Sequence, residues 1–418
     1  MKILLIGSGG REHALAWSIA ASALTEDLLI APGSDAMAAL GRCIDVSVDD
    51  LDGLMELAAS EAPDLVVVGP EAPLVAGLVD RMEAAGHAVF GPRQAAAQLE
   101  GSKGFAREIC AKFGIRQPGF TICTDLAAAH AAIDATGGAC VIKADGLAAG
   151  KGVVVADDAD EAKAAAAEML AGRFGDAGAT LLVEERINGP EASLFALIDG
   201  PNALFMGSAQ DHKRAFDGDR GPNTGGMGAV SPAPRLSDEL RDQVMDEMVL
   251  PLARGMADDG TPYRGILYVG LMLTADGPQV IEFNCRLGDP EAQVILPRLR
   301  SDIVAVMLAT VEGTLGHVSL RWDDRSAVTV VMAAEGYPGT YDKGSAIGGT
   351  DAVETEDVIL FHAGTKIDAD GTLRAHGGRV LAVTGLGADV TAARNASYDA
   401  IKAISWPQGF YRRDIAAS

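Results

Sequence analysis

The run Val280-Ile281-Glu282-Phe283-Asn284-Cys285-Arg286 sets a carboxylate, an amide and a guanidinium at every second position. In an extended strand such residues share one face, with Ile281, Phe283 and Cys285 on the other. Two oxygen donors beside a guanidinium suit a hard divalent cation that bridges phosphates, with Arg286 meeting the transferring group. The polar character continues through Leu287-Gly288-Asp289-Pro290-Glu291, which the solvated face of a plain strand does not explain. A second cluster is Lys143-Ala144-Asp145-Gly146-Leu147-Ala148-Ala149-Gly150-Lys151-Gly152. Lys143 ends an apolar strand and Lys151 opens the next, so a turn of small residues can fold over polyphosphate between two ammonium groups. This is not a Walker A sequence, because Gly152 stands where that motif needs Ser or Thr.

Three weaker clusters accompany them. Gly7-Ser8-Gly9-Gly10-Arg11-Glu12 follows a strand and opens a helix, where the N–H groups of Gly9 and Gly10 and the charge of Arg11 can meet an anion. As a dinucleotide fingerprint it fails, since Glu12 replaces the last glycine and the second strand ends in Ala31-Pro32 rather than an acid. A substrate phosphate is the expected ligand, with an empty βα turn as the alternative. Glu184-Glu185-Arg186-Ile187 ends another apolar strand and Glu191 lies just beyond, so this edge can meet a purine while an acid reaches its ribose. In Asp211-His212-Lys213-Arg214 and Gly221–Gly228, which includes Asn223, Thr224 and Gly225, Asp211 can hold an amine. Lys213 or Arg214 can hold a carboxylate or phosphate there, and the glycines let backbone approach a substrate. No Ser-His-Asp or Cys-His spacing stands out, so the chemistry is phosphate handling rather than nucleophilic catalysis.

These residues need a scaffold. Short apolar runs at Ile3–Ile6, Leu28–Ala31, Leu65–Val68 and Ala88–Phe90 alternate with helical spacing at Glu12–Ala21, Leu51–Ser60 and Pro73–Ala85. That alternation predicts an open parallel α/β sheet covered on both faces. Ser102 caps a predicted helix through Lys112, and a compact α+β unit follows to Glu185. Strands dominate from Ser193 to about Pro297, interrupted by a long irregular loop over Asp211–Pro234 of the kind that is usually functional. Strands at Ala327–Ala333, Val358–His362 and Arg379–Thr384 precede a helix over Ala388–Ile404. The chain has 418 residues, 48% hydrophobic, with a formal charge of −24. Its acidity repels nucleic-acid backbones and anionic lipid, which argues against either as a general partner. Five dispersed cysteines without a C-x-x-C pair, and a short N-terminal apolar run, read as a reduced, soluble, cytoplasmic protein.

Taken together, Lys143–Val153, Asp211–Arg214, Gly221–Ala229, Ile281–Arg286 and Arg286-Leu287-Gly288-Asp289-Pro290-Glu291-Ala292-Gln293 resemble the phosphoribosylamine–glycine ligase family of the ATP-grasp superfamily. Gly7–His13, Val68–Leu74, Leu99–Lys103 and Tyr411–Ile415 extend the resemblance over the whole chain in order. It departs after Gly33, where the family usually has Asn and a second Gly and this chain has Ser34-Asp35-Ala36-Met37. The resemblance implies an N-terminal open parallel α/β domain over 1–101 and a two-lobed ATP-grasp core over 102–325, whose smaller lobe spans about 120–191. A small mixed α/β domain over 326–418 would follow. It implies ATP-dependent ligation of glycine to 5-phosphoribosylamine through glycyl phosphate, in purine biosynthesis, by a monomer. By the same analogy Lys103, Lys143 and Lys151 would contact ATP phosphates, Glu184, Glu185 and Ile187 adenine, and Glu191 ribose. Glu282 and Asn284 would hold Mg²⁺ or Mn²⁺. Gly9, Gly10, Arg11, Asp211, Lys213, Asn223, Thr224, Gly225 and Arg286 would hold the other substrates, with Arg286, Lys151 and Asp211 catalytic. A different ATP-grasp ligase, a non-catalytic ATP-binding protein and an oxidoreductase are the rival readings.

Overall fold

Parallel pairing begins at once: Lys2–Gly7 lies between Asp27–Pro32 and Leu65–Val68, with Arg42–Cys43 and Val89–Phe90 at the two edges. Residues 1–147, 152–173 and 175–417 are described by this computed structural model. The inner strands are apolar on both faces, and Leu4 and Ile6 pack into one cluster while Ile3 and Leu5 pack into another. The predicted helix over Pro73–Ala85 is two helices, Glu71–Val75 and Leu78–Ala84. Gly77 separates them at φ +87°, a left-handed turn that ends the first helix.

A four-stranded antiparallel sheet of described residues forms the small lobe, in the order Phe120–Cys123, Leu181–Glu185, Cys140–Ala144, Val153–Val155. Helices Leu126–Ala135 and Ala159–Glu168 cover it, each begun by an aspartate side chain, Asp125 and Asp158, that accepts a backbone N–H. Residues 148–151, with the second predicted lysine, Lys151, lie outside the described residues.

The rest of the chain is organised by a nine-stranded sheet, counted among the described residues, that runs across the expected boundary near 325. Gly277–Asn284, Arg264–Thr274, Glu191–Asp199 and Ala203–Asp211 lead to Gly228–Ser231, which pairs with Ser326–Ala334 of the C-terminal region. Arg379–Gly387 and Val358–His362 follow, the short strand Gly409–Phe410 pairs with the end of Ser326–Ala334 as the ninth, and the helix Val390–Ile401 packs on this side. Two expectations need correction. The segment Asp211–Pro234 is not irregular: Arg214–Phe216 and Arg220–Asn223 form a hairpin, followed by the strand Gly228–Ser231. Strands this short leave no readable period. Residues from Asp238 to Asp258 are helical, begun by Ser237, whose hydroxyl accepts from the Leu240 N–H. Among the described residues no helix is long and apolar enough to cross a membrane.

The helix Gly10–Ala20 is tied to the C-terminal strands by a histidine pair, His13 buried and His362 half-buried. The backbone N–H of His362 donates to His13 Nδ1 at 2.8 Å, and Phe361 stands edge-on to the His13 ring. Burial pushes both imidazoles down, from 6.5 to about 4. Between those pH values the unfolded chain binds more protons than the folded one, so stability falls as pH drops through that window. His362→Gln is expected to lose less stability relative to wild type as pH falls from about 6.5 to about 4. Urea unfolding at stepped pH measures this, and a pH-independent difference would contradict it.

Candidate active site

Between the small lobe and the large sheet lies a cleft of about 1140 Å³. One wall carries Lys103, at the start of the helix Lys103–Phe113, and Lys143, near the end of its strand. The end of the strand Gly277–Asn284 lines it too, with Glu282 and Asn284, and Arg286 just beyond it. The strand stops two residues short of expectation, yet the three polar side chains line the same cleft. The alternation is imperfect: Ile281 is skipped in the pairing where Gly270 meets Glu282 and Leu271 meets Val280, and Ile281 and Phe283 also line the cleft. The Ile281 carbonyl instead accepts from Lys143 Nζ at 2.9 Å and from Arg107 Nη2 at 2.7 Å.

Lys143 is held in a buried cluster. Its ammonium lies 2.8 Å from Glu184 Oε2, and Arg107 grips both oxygens of Glu184 at 2.7 and 2.9 Å. Burial would raise the Glu184 carboxyl, but Lys143 and Arg107 outweigh it and hold it below the usual carboxylate range. Glu184 therefore is not a solvated strand-end acid; its side chain is spent on fixing Lys143. Lys103 donates to the Gly146 carbonyl at 3.1 Å, and burial lowers its pKa against the pull of Glu282. Glu185, exposed, accepts from the Gly119 N–H, while Ile187, Val141, Met272 and Phe283 are among the apolar lining. Sequence reasoning missed Arg107: it stands four residues after Lys103 on the same helix, but the groups it holds are distant in sequence.

A second network crosses the cleft. Lys213 Nζ lies 2.9 Å from Glu191 and 3.5 Å from Glu282, so the acid expected at ribose is paired with a lysine. Asp211, Glu282 and Glu191 overcome burial and keep the Lys213 pKa well above its ordinary value. Burial lifts Asp211 to about 6, with Lys213 opposing and Glu191 and Glu282 adding to it. Burial also lifts Glu291 to about 7, helped by Asp211. Glu282 itself stays below the carboxylate range, because Lys213, Lys143 and Lys103 outweigh its burial. Asn223, Thr224 and Gly225 line the cleft as expected. The Thr224 hydroxyl donates to the Lys213 carbonyl, and Arg379, which no motif flagged, donates to the carbonyls of Gly225 and Asp289.

Arg286 reaches Glu71 Oε2 at 3.1 Å and Glu100 Oε1 at 2.5 Å. Arg11 joins the same cluster, 2.6 Å from Glu12 and 3.6 Å from Glu71. Burial would raise Glu71, yet Arg286 and Arg11 together hold it at about 2. The Gly9 N–H donates to Glu12 Oε2 at 2.9 Å, so the helix supplies its own anion at that amide. A Cβ on Gly10 would meet Gln293, Ala363 and Asp289. Gly9 and Gly10, expected at the substrate, are not among the residues lining the cleft and serve close packing behind Arg11.

For a divalent cation, the donor set is a charged carboxylate, Glu282, and the amide oxygen of Asn284. With its nitrogen turned to Glu100 Oε1 at 3.2 Å, Asn284 keeps that oxygen for another partner. No group of three or more His, Cys, Asp or Glu suited to a metal occurs among the described residues. Two protein oxygens with phosphates completing the shell is the usual manner of Mg²⁺, so the residues fit.

Family profiles match in three consecutive stretches. The phosphoribosylglycinamide synthetase N domain covers 1–100, its ATP-grasp (A) domain 101–292 and its C domain 327–418. The chain belongs to the phosphoribosylglycinamide synthetase family. A phosphoribosylamine–glycine ligase from Brucella melitensis is 54% identical over 99% of this chain and 97% of its own length. One from Caulobacter vibrioides is 51% identical over the same shares. The crystal structure of a phosphoribosylamine–glycine ligase from Thermotoga maritima superposes with a TM-score of 0.88 at 32% identity, covering 99% of this chain and all of the other. A biotin carboxylase domain from Hydrogenobacter thermophilus has a TM-score of 0.75 at 16% identity, covering 98% of this chain and 91% of its own, and shares the fold. Family membership agrees with the resemblance drawn from the motifs, and the dinucleotide reading of Gly7–Glu12 has no support here.

Proposed function

We propose that this family member ligates glycine to 5-phosphoribosylamine in purine biosynthesis, consuming ATP and passing through glycyl phosphate. The observation that carries the site assignment is the shared cleft: Lys103, Lys143, Glu282, Asn284 and Arg286 all line it, and Lys143 Nζ reaches the Ile281 carbonyl next to Glu282. Glycine carboxylate is a poor electrophile at neutral pH. Its oxygen attacks the γ-phosphorus of ATP, and the bond to the ADP oxygen breaks. The amine of phosphoribosylamine then adds to the acyl carbon, phosphate leaves with the bonding pair, and the amine proton is released.

Lys103 and Lys143, together with Lys151 of the same motif, balance the charge of the phosphates, and Ile187 and Glu185 border the base. Glu282 and Asn284 would hold Mg²⁺ or Mn²⁺, which when bound draws charge from the phosphoryl oxygens. Arg286, held by Glu71 and Glu100, stabilises charge on the transferring group. Asp211 meets the glycine ammonium, and Lys213, Asn223, Thr224 and Gly225 border the acceptor. Arg11 and the Gly9-Gly10 turn lie on the acceptor side with Glu71 and Asp289. The divisions at 101/102 and 325/326, the cytoplasmic location and the monomeric state belong to the same reading.

The test is ADP release by the purified chain with Mg²⁺, with glycine and phosphoribosylamine each omitted in turn. Release is expected only with both present, with glycinamide ribonucleotide formed in equal amount. Release that ignores glycine, or that follows another carboxylate better, would overturn the reading.

A further inference from the structure

The segment Tyr411-Arg412-Arg413-Asp414-Ile415 sits far from the cleft in sequence, yet Arg412 and Asp414 line it. Arg412 is only 2% exposed. Its guanidinium forks onto Asp414, Nε to Oδ1 at 2.8 Å and Nη2 to Oδ2 at 2.9 Å. The remaining nitrogen, Nη1, donates to the Arg214 carbonyl at 3.0 Å and to Asp219 at 3.2 Å. The same strap holds the hairpin Arg214–Asn223 at further points. Asp414 accepts from the Gly218 N–H at 2.8 Å, and the Arg413 N–H donates to Asp217 at 2.7 Å. The Ala416 N–H donates to His212 Nε2 at 3.3 Å.

The strap is itself anchored. The Tyr398 hydroxyl donates to the Arg412 carbonyl at 2.6 Å, and Arg394 donates to the carbonyls of Ile415 and Arg413. Both residues are on the helix Val390–Ile401. Ile415 is fully buried over Gly228, where a Cβ would meet its side chain at 2.7 Å. On the other side, the hairpin aims the catalytic cleft's own groups. The Thr224 N–H and hydroxyl both donate to the Lys213 carbonyl at 2.8 Å, and the Lys213 ammonium spans Glu191 and Glu282.

We propose that Arg412 is a positioning residue: it locks the Arg214–Asn223 hairpin to the C-terminal strap, and so fixes where Asp211, Lys213 and Thr224 meet glycine and the phosphoribosylamine. This rests on the ligase reading for its choice of substrates. The planar fork is required, because one side chain must satisfy a carboxylate at two oxygens, a carbonyl and a second carboxylate. A lysine ammonium has no such geometry. Lys103 and Lys143 keep their own partners, Gly146, Glu184 and Ile281, and among the described residues none of these belongs to the strap.

The experiment compares wild type with Arg412→Ala and Arg412→Lys by steady-state kinetics, nucleotide binding and hydrogen exchange. KM for glycine and for phosphoribosylamine is expected to rise about tenfold or more in both variants, with the ATP dissociation constant within about twofold. Methylguanidinium is expected to lower the raised KM of Arg412→Ala, and amide exchange over 212–224 to quicken while Glu191–Asp199 stays protected. Equal weakening of all three substrates, or unchanged exchange over 212–224, would overturn the proposal. The exchange readout stands apart from activity, so a wild type that fails to release ADP would indict the ligase reading alone. Should Arg412→Ala not fold, the double variant Asp217→Ala, Asp219→Ala removes two exposed partners of the strap. It is expected to move KM and exchange in the same direction, and no movement would again overturn the proposal.

Discussion

Glu282→Ala is expected to lower kcat by about a thousandfold at saturating ATP, glycine and phosphoribosylamine, with the fold intact. Glu282 is the acid on which three lysines converge: Lys213 approaches to 3.5 Å, and Lys143 and Lys103 contribute to holding it ionised against burial. An anion kept charged in this way, beside an amide oxygen, offers a cation its best protein ligand in the cleft. Removing it also leaves the lysines to repel one another, so Glu282→Gln is the companion variant. Gln keeps the shape and one oxygen but not the charge, and is expected to lose at least a hundredfold. Near-normal turnover in Glu282→Ala at raised Mg²⁺, with an unchanged apparent Mg²⁺ requirement, would remove Glu282 from the metal site. Thermal unfolding within a few degrees of wild type separates lost chemistry from lost structure.

What the sequence shows of this site follows from how local each contact is. Cys140–Ala144 and Val358–His362 are strands where their apolar runs predict them, since burial of a short β-rich run is a local property. The alternation of Glu282, Asn284 and Arg286 is legible for the same reason, and survives the skipped residue at Ile281 because the slip falls before Glu282. Arg107 is harder to see. Its partners Val280 and Ile281 are 173 and 174 residues away, and a lone arginine in a helix gives no hint of them. Arg379 likewise reaches Asp289 across 90 residues. The hairpin Arg214–Asn223 has strands of three and four residues, too short for a period to show, and tertiary bonds from the strap complete it. The acids Glu71 and Glu100 stand inside segments that the family resemblance already marks, but their pairing with Arg286 is a property of the folded chain alone.

Arg286→Lys, which keeps the positive charge, is nevertheless expected to reduce kcat by about a hundredfold or more while the ATP KM moves by only a few-fold. The reason is geometric. Arg286 Nε meets Glu71 at 3.1 Å, Nη2 meets Glu100 at 2.5 Å, and Nη1 donates to the Leu287 carbonyl at 3.1 Å. Those partners come from the helix Glu71–Val75, the helix Gln94–Gly101 and the turn after the strand, so the guanidinium plane is fixed from three sides. A lysine cannot satisfy all three acceptors, and its ammonium would follow whichever carboxylate holds it best. With the ammonium drawn to Glu71, Glu100 loses its nearest counter-charge; burial already lifts its pKa, so it takes up a proton more readily and its bond from the Cys285 N–H weakens. A purely structural Arg286 predicts a different pattern: a lower unfolding temperature with kcat largely kept in the folded fraction. Rapid-quench measurement of the first turnover decides between them, because a role in phosphoryl transfer slows ADP formation itself, and a full-amplitude, wild-type-rate burst of ADP in Arg286→Lys would refute it.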